Sequence, residues 1–209
     1  MPRTIVITGV TSGFGRATAA VFIKEGWNVA GTGRRKERLD ALKAEWGDAF
    51  LPLELDMRDK SAVFAALERL PAPWSEPDVL VNNAGLALGL APSQEADLDD
   101  WETMIDTNIK GLLYATRALL PGMTARNRGH IVNLGSTAGT YPYKGGNVYG
   151  GTKAFVKQFS LNLRTDLLGT AVRVTNIEPG LCESEFSLVR FKGDRARADK
   201  VYEGTCPIV

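Results

Sequence analysis

The sequence has 209 residues, of which 44% are hydrophobic and 23% charged, and this ordinary composition predicts a single globular domain over residues 1–209. Its 25 basic and 24 acidic residues nearly balance and no apolar run reaches the length of a membrane span, so neither nucleic acid nor a membrane is expected as a partner. Because Cys182 and Cys206 show neither a disulfide framework nor a metal spacing, and a strand pattern starts too early to leave space for a signal peptide, we expect a cytoplasmic protein without a structural metal.

Short β-branched segments alternate with helical patterns along the whole chain. Strands are predicted at Thr4–Thr8, Asn28–Thr32, Phe50–Leu55, Asp78–Asn82, His130–Leu134 and Arg173–Glu178. Helices are predicted between them at Phe14–Glu25, Lys36–Trp46, Lys60–Leu70, Asp99–Arg126 and Asn147–Leu168. The longest helix is expected to bend near Pro121. This alternation predicts an α/β fold, a doubly wound parallel sheet with helices on both faces, in which ligands bind beyond the carboxyl ends of the strands.

A glycine-rich turn joins the first predicted strand to the first helix. Gly9 permits a tight turn, Gly13 lets the backbone approach a pyrophosphate, and Gly15 allows the helix to pack closely on the strand. The Gly-x-x-x-Gly-x-Gly spacing at this junction predicts a Rossmann-like dinucleotide site, and a purely structural turn is the alternative. The residues expected to contact the cofactor here are Gly9, Thr11, Ser12, Gly13, Phe14 and Gly15.

Two arginines, Arg34 and Arg35, follow the second predicted strand. An NAD enzyme usually places a carboxylate at this position for the ribose hydroxyls, whereas arginine suits the 2′-phosphate of NADP. No acidic residue follows the strand before Glu37, so the sequence predicts NADP as the cofactor. The alternative is a solvated basic start of a helix, since Lys36 and Arg38 lie alongside.

The stretch Ser136–Lys153 holds three residues that suit one reaction. Tyr149 and Lys153 are spaced i, i+4 on a predicted helix, and Ser136 follows a strand. An ammonium beside a phenol favours the phenolate, so the pKa of Tyr149 is expected to fall from about 10 toward neutrality. Such a shift suits proton transfer near neutral pH. Taken alone, however, the stretch is better explained by an ordinary exposed Tyr–Lys pair.

Together these motifs resemble the short-chain dehydrogenase/reductase family along the whole chain. The matching features are Thr8-Gly-x-x-x-Gly-x-Gly15, Asp56, Asn82-Asn83-Ala84-Gly85, Asn108, Ser136, Tyr149-x-x-x-Lys153 and Pro179-Gly180. Segments similar to those of the NADP-dependent 3-hydroxy acid dehydrogenases are Asp100–Gly111, Gly135–Gly139, Gly145–Tyr149 and Glu178–Leu181. This resemblance implies oxidation of a small 3-hydroxy acid or 3-hydroxy amino acid, such as L-allo-threonine, L-serine or 3-hydroxypropionate, and reduction of the matching semialdehyde.

The resemblance also implies a role for each matching residue. Ser136 would hydrogen-bond the substrate oxygen, Tyr149 would transfer the proton, and Lys153 would bind the nicotinamide ribose and lower the pKa of the phenol. Asn108 would orient a water that links Lys153 to solvent, and a polar residue that only bends the helix is the alternative. Further cofactor contacts are implied at Asp56, Met57, Asn83, Ala84, Gly85, Pro179, Gly180 and Leu181.

The end of the sequence departs from the family pattern. A final strand and helix are expected to be missing or to be supplied by a partner, and the resemblance implies a homotetramer or a dimer when they are present. Residues 183–209 are expected to form a substrate lid and the chain end, because the segment is rich in charges and holds Gly193. Within it we expect Arg190 to bind the substrate carboxylate, with Lys192 and Lys144 as alternatives.

Two other functions stay open at this point. The same chemistry would serve a reductase of neutral ketones or larger alcohols, and a protein with this fold but without catalysis would act as an NADP-binding sensor. The presence of Ser136, Tyr149 and Lys153 argues against the sensor, because a sensor has no need of a tuned phenol. The shortened end argues slightly for it.

Overall fold

The computed structural model describes residues 3–203. Residues 204–209, the end of the predicted lid segment with Cys206, lie outside this range, as do residues 1 and 2. The strands of the described part are β1 (Thr4–Ile7), β2 (Asn28–Gly33), β3 (Phe50–Glu54), β4 (Val79–Asn82), β5 (Gly129–Leu134) and β6 (Val172–Ile177). All of them pair in parallel, in the order β3-β2-β1-β4-β5-β6. The predicted doubly wound sheet is confirmed.

Helices cover both faces of the sheet. They are α1 (Gly13–Lys24), α2 (Lys36–Trp46), α3 (Lys60–Leu67), α4 (Leu98–Ile105), α5 (Leu112–Ala125), α6 (Asn147–Asp166), α7 (Glu185–Arg190) and α8 (Arg195–Lys200). Successive side chains of a strand point to opposite faces, so β1 contributes to two cores. Ile5 and Ile7 pack with residues of α1 and α2, whereas Val6 packs with residues of α3, α5 and α6.

The long helical region between β4 and β5 is interrupted around Asn108, the residue for which a helix-bending role was the alternative prediction. A bend was also expected near Pro121, but α5 continues through that residue. The departure from α-helical geometry is a π-helical turn, Asp106–Gly111, between α4 and α5. Asn108 and Gly111 are buried in this turn, and a Cβ on Gly111 would lie 3.0 Å from the Met57 carbonyl oxygen. Side-chain contacts of the turn, rather than the proline, therefore set its position.

A buried polar network ties the adjacent strands β4 and β5 to the helices on one face. The Asn82 amide nitrogen donates to Asn133 Oδ1 at 2.9 Å and to Thr116 Oγ1 at 2.9 Å. Asn133 in turn donates to Ser160 Oγ at 2.8 Å. These residues are 0–3% exposed, so the hydrogen bonds are shielded from competing water. The network fixes the carboxyl ends of β4 and β5 relative to α5 and α6, and the candidate site begins at those ends.

Two general features complete the description of residues 3–203. None of the helices in this range has both the length and the apolar character that a membrane crossing requires. No group of three or more His, Cys, Asp or Glu side chains in it is arranged to hold a metal ion.

Candidate active site

A cleft of about 790 Å³ opens at the carboxyl ends of the strands. The segment that follows β6 forms one of its walls, and Ser184 on this segment lies close to the glycine turn, because a Cβ on Gly13 would be 3.8 Å from the Ser184 Cβ. All of the predicted site residues line the cleft except Gly15 and Asn108. The lining includes the predicted residues Gly9, Thr11, Ser12, Gly13, Phe14, Arg34, Arg35, Asp56, Met57, Asn83, Ala84, Gly85, Ser136, Tyr149, Lys153, Pro179, Gly180, Leu181 and Arg190.

The glycine turn has the conformation that its sequence predicts. Gly9 and Gly13 have φ angles of 74° and 51°, which other residues rarely adopt. A Cβ on Gly15 would lie 2.1 Å from the Gly9 carbonyl oxygen, so Gly15 serves helix packing beneath the cleft. The Asn83 amide nitrogen donates to the carbonyl oxygens of Thr8 at 2.8 Å and Gly9 at 2.9 Å. Asn83 therefore holds the turn in place while it lines the cleft.

Ser136, Tyr149 and Lys153 meet at the carboxyl end of β5. Ser136 follows this strand and its hydroxyl hydrogen-bonds the Tyr149 phenol. Tyr149 and Lys153 project from the same face of α6, and both are buried. The Lys153 ammonium donates to the Leu134 carbonyl oxygen at 2.7 Å and lies 5.8 Å from the centre of the Tyr149 ring. The structure thus brings together the three residues that the sequence grouped.

The electrostatics of this group differ from the expectation. Burial raises the pKa of Tyr149 above its ordinary value, and the Ser136 hydrogen bond and the charge of Arg190 offset this effect only in part. The expected fall in the pKa of Tyr149 is therefore wrong for this arrangement. Burial also lowers the pKa of Lys153 from 10.5 to about 8, because the charged ammonium is desolvated.

Asn108 lies behind the cleft rather than in its wall. Its amide nitrogen donates to the Leu86 carbonyl oxygen at 2.8 Å and to Thr152 Oγ1 at 3.1 Å, and its Oδ1 accepts from the Leu86 N–H at 2.8 Å. Thr152 Oγ1 in turn donates to the Tyr149 carbonyl oxygen at 2.8 Å. Both N–H groups of the amide are used within the protein, so the side chain has no donor left for the expected water. In this structure Asn108 positions α6.

Of the two arginines predicted to bind the 2′-phosphate, one is engaged by other residues. Arg34 is exposed in the cleft and makes no hydrogen bond or ion pair within residues 3–203. Arg35 donates to Thr11 Oγ1 at 2.9 Å and, through its other terminal nitrogen, to Glu185 on α7 at 3.2 Å. Arg38 also donates to Glu185. Arg38 was expected among the solvated surface charges. Arg35 immediately precedes α2 and Arg38 lies in the first turn of that helix, so both guanidiniums reach Glu185 from the same helix end.

The carboxylate of Asp56 lies in the wall of the cleft. Arg58 donates to it from the side chain, with the Arg58 Nη2 at 2.7 Å from Oδ2, and from its backbone N–H at 3.0 Å from Oδ1. These hydrogen bonds hold the pKa of Asp56 below its ordinary value despite partial burial. The carboxylate lines the cleft as an ionised acceptor at neutral pH.

The predicted substrate residue Arg190 lies against Tyr149. Only 8% of it is exposed, and its guanidinium carbon is 5.4 Å from the centre of the Tyr149 ring and 5.2 Å from that of Phe186. Its Nη2 donates to the Tyr143 hydroxyl at 3.1 Å. The sequence pattern gave no indication of Phe186 or Tyr143, because they reach this position through the fold of the segments after β5 and β6.

The two alternative cations for a substrate carboxylate lie elsewhere. Lys192 is bound to Asp100, with the ammonium 2.8 Å from Oδ1, and lies 3.8 Å from Asp97 Oδ2. Lys144 lines the cleft but is exposed to solvent. Of the three candidates, Arg190 is the cation buried beside Tyr149.

Comparisons with known proteins agree with this geometry. Residues 3–193 match the family model described as short chain dehydrogenase. NADP-dependent 3-hydroxy acid dehydrogenase YdfG of Salmonella typhi is 63% identical over 202 residues, which cover 96% of this chain and 82% of the relative. Serine 3-dehydrogenase of Rhizobium radiobacter is 58% identical over 208 residues, covering 100% of this chain and 83% of the relative. A solved structure described as the closed form of serine dehydrogenase complexed with NADP+ is 60% identical, with a TM-score of 0.96 over 98% of this chain and 83% of that one. The match to the family model over most of the chain, together with 58–63% identity to these relatives, shows that the chain belongs to the short-chain dehydrogenase family.

Proposed function

We propose that this chain is an NADP-dependent oxidoreductase that interconverts the 3-hydroxyl and 3-oxo groups of a small 3-hydroxy acid or 3-hydroxy amino acid. Membership of the short-chain dehydrogenase family makes it an oxidoreductase that acts on alcohol groups. Relatives at 58–63% identity are named for 3-hydroxy acids and for serine. L-Serine, L-allo-threonine and 3-hydroxypropionate are therefore the first substrates to test.

The observation that carries the substrate class is the buried guanidinium of Arg190 beside Tyr149. It forms no ion pair with any acidic residue in the described range 3–203, and its Nε is buried without a hydrogen-bond partner. A buried charge without a partner is costly, and a substrate carboxylate would supply the countercharge through charge-assisted hydrogen bonds. A short hydroxy acid bound in this way would extend its hydroxyl toward Tyr149.

The residues of the glycine turn suit a dinucleotide. Gly9 and Gly13 line the cleft without side chains, so a ligand can approach the backbone of the turn, and the N-terminus of α1 directs amide groups toward the same space. Arg34 offers an uncommitted guanidinium for a 2′-phosphate, and the ionised Asp56 offers an acceptor for the adenine amine. When bound, NADP supplies or accepts the hydride.

The protein's own residues supply orientation and the proton. Ser136 would hydrogen-bond the substrate oxygen and keep it beside the phenol. Tyr149 would donate a proton to the carbonyl oxygen during reduction and accept one from the hydroxyl during oxidation. Lys153, when protonated, would bind the ribose hydroxyls and favour the phenolate by its charge.

The absorbance of NADPH tests this proposal directly. With purified protein and NADP+, we expect turnover of L-serine, L-allo-threonine or 3-hydroxypropionate and none of a neutral alcohol of the same size. Turnover confined to neutral alcohols and ketones would identify the reductase alternative. Binding of NADPH without turnover of any of these compounds would identify the sensor.

The role of Arg190 is tested separately by Arg190→Ala. Hydrogen bonds to charged groups contribute about 1.5–3 kcal/mol, so KM for the hydroxy acid should rise roughly ten- to hundredfold. Lys144→Ala, at the exposed rim of the same cleft, should leave KM unchanged. An Arg190→Ala enzyme with the KM of the parent would contradict the assignment.

Location and assembly belong to the same proposal. A cytoplasmic homotetramer, or a dimer, is proposed from the resemblance, with residues 1–209 as one domain and the segment from residue 183 as its lid. Light scattering of the eluting protein during gel filtration measures the assembly. A monomer at micromolar concentration would contradict that part of the proposal while leaving the chemistry intact.

A further inference from the structure

One ion-pair cluster in the cleft has no part in the proposed chemistry. The carboxylate of Glu185, the first residue of α7, accepts hydrogen bonds from Arg38 Nη1 at 2.9 Å to each oxygen and from Arg35 Nη1 at 3.2 Å. Arg35 lies between β2 and α2 and Arg38 in the first turn of α2, about 150 residues earlier in the chain. The Glu185 carboxylate, on the segment after β6, therefore forms ion pairs with guanidiniums on the other side of the cleft.

The position of this carboxylate is the one at which a ribose phosphate is expected. Arg35 follows the second strand of the dinucleotide fold, where the group on the adenosine ribose is recognised. Its other terminal nitrogen is held by Thr11 Oγ1 at 2.9 Å and Ser12 Oγ at 3.3 Å, so both of its terminal nitrogens already have acceptors. Carboxylate and phosphate bind a guanidinium through the same hydrogen bonds, and one excludes the other at a given N–H pair.

The ionisation of Glu185 also favours competition between its carboxylate and a phosphate. Burial raises the pKa of Glu185, but the hydrogen bonds from Arg38 and Arg35 outweigh it and keep the pKa below its ordinary value. The carboxylate is thus ionised at neutral pH. A phosphate that reached Arg35 with Glu185 still in place would bring two like charges into contact.

We propose that the Glu185 carboxylate competes with the 2′-phosphate of NADP for Arg35. The phosphate must therefore displace Glu185 from Arg35 when NADP binds. This inference rests on the proposed use of NADP. Glu185 weakens the binding of phosphorylated cofactor and returns to the arginine when the cofactor leaves. It does not weaken the binding of NAD, whose ribose carries no phosphate to compete for Arg35. Glu185 thereby limits the preference for NADP over NAD and shortens the residence of the phosphorylated cofactor.

The substitution Glu185→Gln keeps the size of the side chain and removes its charge. We expect the Kd for NADP+, measured by isothermal titration calorimetry, to fall about five- to tenfold, since exposed ion pairs of this kind are weak and two of them are lost. The Kd for NAD+ should not fall, because NAD+ has no 2′-phosphate that competes with the Glu185 carboxylate. The fragments adenosine 2′,5′-bisphosphate and adenosine 5′-monophosphate should repeat this contrast, because they do not reach Tyr149 or Arg190.

Glu183→Gln is the matched control. Glu183 lies on the same segment, is exposed and forms no ion pair within the described chain, so its loss changes the net charge equally without freeing Arg35. The inference is overturned if Glu185→Gln leaves the Kd for NADP+ unchanged or raises it, if NAD+ gains equally, or if Glu183→Gln has the same effect. A parent protein that binds no NADP+ would refute the proposed function itself, which is a different result.

Discussion

Tyr149 shows at the residue scale how burial and polar contacts share control of one phenol. Its ring is nearly buried and packs at 5.6 Å, centre to centre, on Phe186. Burial raises the pKa of Tyr149, so at neutral pH the hydroxyl is protonated and ready to donate during reduction. Oxidation requires the phenolate, and the contacts of Ser136 and Arg190 with Tyr149 both favour this form.

Tyr149→Phe removes the hydroxyl and keeps the ring contacts. General acid–base catalysis contributes about 10²–10⁴-fold, so turnover should fall at least a hundredfold while the Kd for NADPH changes less than about twofold. Fluorescence titration and NADPH absorbance measure the two quantities. Tyr141→Phe, at an exposed tyrosine of the same cleft, should alter neither. Retained turnover in Tyr149→Phe would remove the phenol from the mechanism.

Lys153 makes the stability of the protein depend on pH in a specific window. Its pKa of about 8 in the folded state lies below the ordinary value of 10.5. Between these two pH values Lys153 is therefore mostly neutral in the folded protein and mostly protonated in the unfolded chain. The cost of burying the charge is complete below pH 8 and disappears as the pH rises to about 10.5, and it amounts to roughly 3 kcal/mol at about 1.4 kcal/mol per pKa unit.

This cost can be measured against Lys153→Met. The free energy of unfolding of the parent, minus that of the variant, should increase by up to about 3 kcal/mol between pH 7.5 and pH 10, because other titrating groups cancel in the difference. Urea denaturation at several pH values provides the numbers. The loss of the hydrogen bond to Leu134 shifts the difference by a constant and leaves its slope. A flat difference would contradict the lowered pKa.

At the element scale, the site depends on how closely α6 approaches the turn after β5. A Cβ on Gly139 would lie 2.7 Å from the Lys153 carbonyl carbon and 2.8 Å from the Ala154 nitrogen. Gly139 ends the 3₁₀ turn that begins next to Ser136. The missing side chain thus lets the Ser136 turn rest directly on the backbone of α6 and sets the distance between Ser136 and Tyr149.

Two glycine substitutions separate this contact from general helix effects. Gly139→Ala should cost about 1–3 kcal/mol of unfolding free energy by overpacking and should also reduce turnover, since backbone must move at Lys153. Gly151→Ala, in α6 with no atom of another element within 4 Å of the new methyl group, should keep turnover and gain up to about 1 kcal/mol from helix propensity. Thermal unfolding and NADPH assays of both variants provide the test. Equal stability of the two variants would contradict the steric argument.

Local patterns predicted the elements well because each strand and helix carries its own periodicity. The α2 helix was expected at Lys36–Trp46 and is found there, closed by Gly47. The π-helical turn was not predicted, since it depends on Asn108 reaching Leu86, a contact between residues 22 apart. Alternating apolar residues indicate which face of an element is buried, and they do not indicate which long-range contact interrupts it.

At the scale of the whole molecule, strand order places the motifs and the segment after β6 completes the site. The parallel sheet puts every strand's carboxyl end at one edge, so the glycine turn, Arg34 and Ser136 could be assigned to one cleft from the sequence. Arg190 was also expected in the site, but its contact with Tyr143 and the contact of Glu185 with Arg38 could not be predicted, because they depend on how that segment folds back. Ion pairs hold the segment after β6 near both of its ends, Glu185 with Arg38 and Lys192 with Asp100.

Because the cleft draws residues from both halves of the sheet, cofactor binding should stabilise the whole fold. A ligand at a hundred times its Kd adds about 2.7 kcal/mol, which for a chain of this size corresponds to a rise of roughly 5–10 °C in Tm. At equal concentrations, NADP+ should raise Tm more than NAD+. The double variant Arg34→Asp, Arg35→Ala should lose the advantage of NADP+ and keep the smaller shift with NAD+, since it removes the two guanidiniums expected to bind the phosphate. Differential scanning fluorimetry measures all four combinations, and an undiminished NADP+ advantage in the double variant would show that another part of the cleft recognises the phosphate.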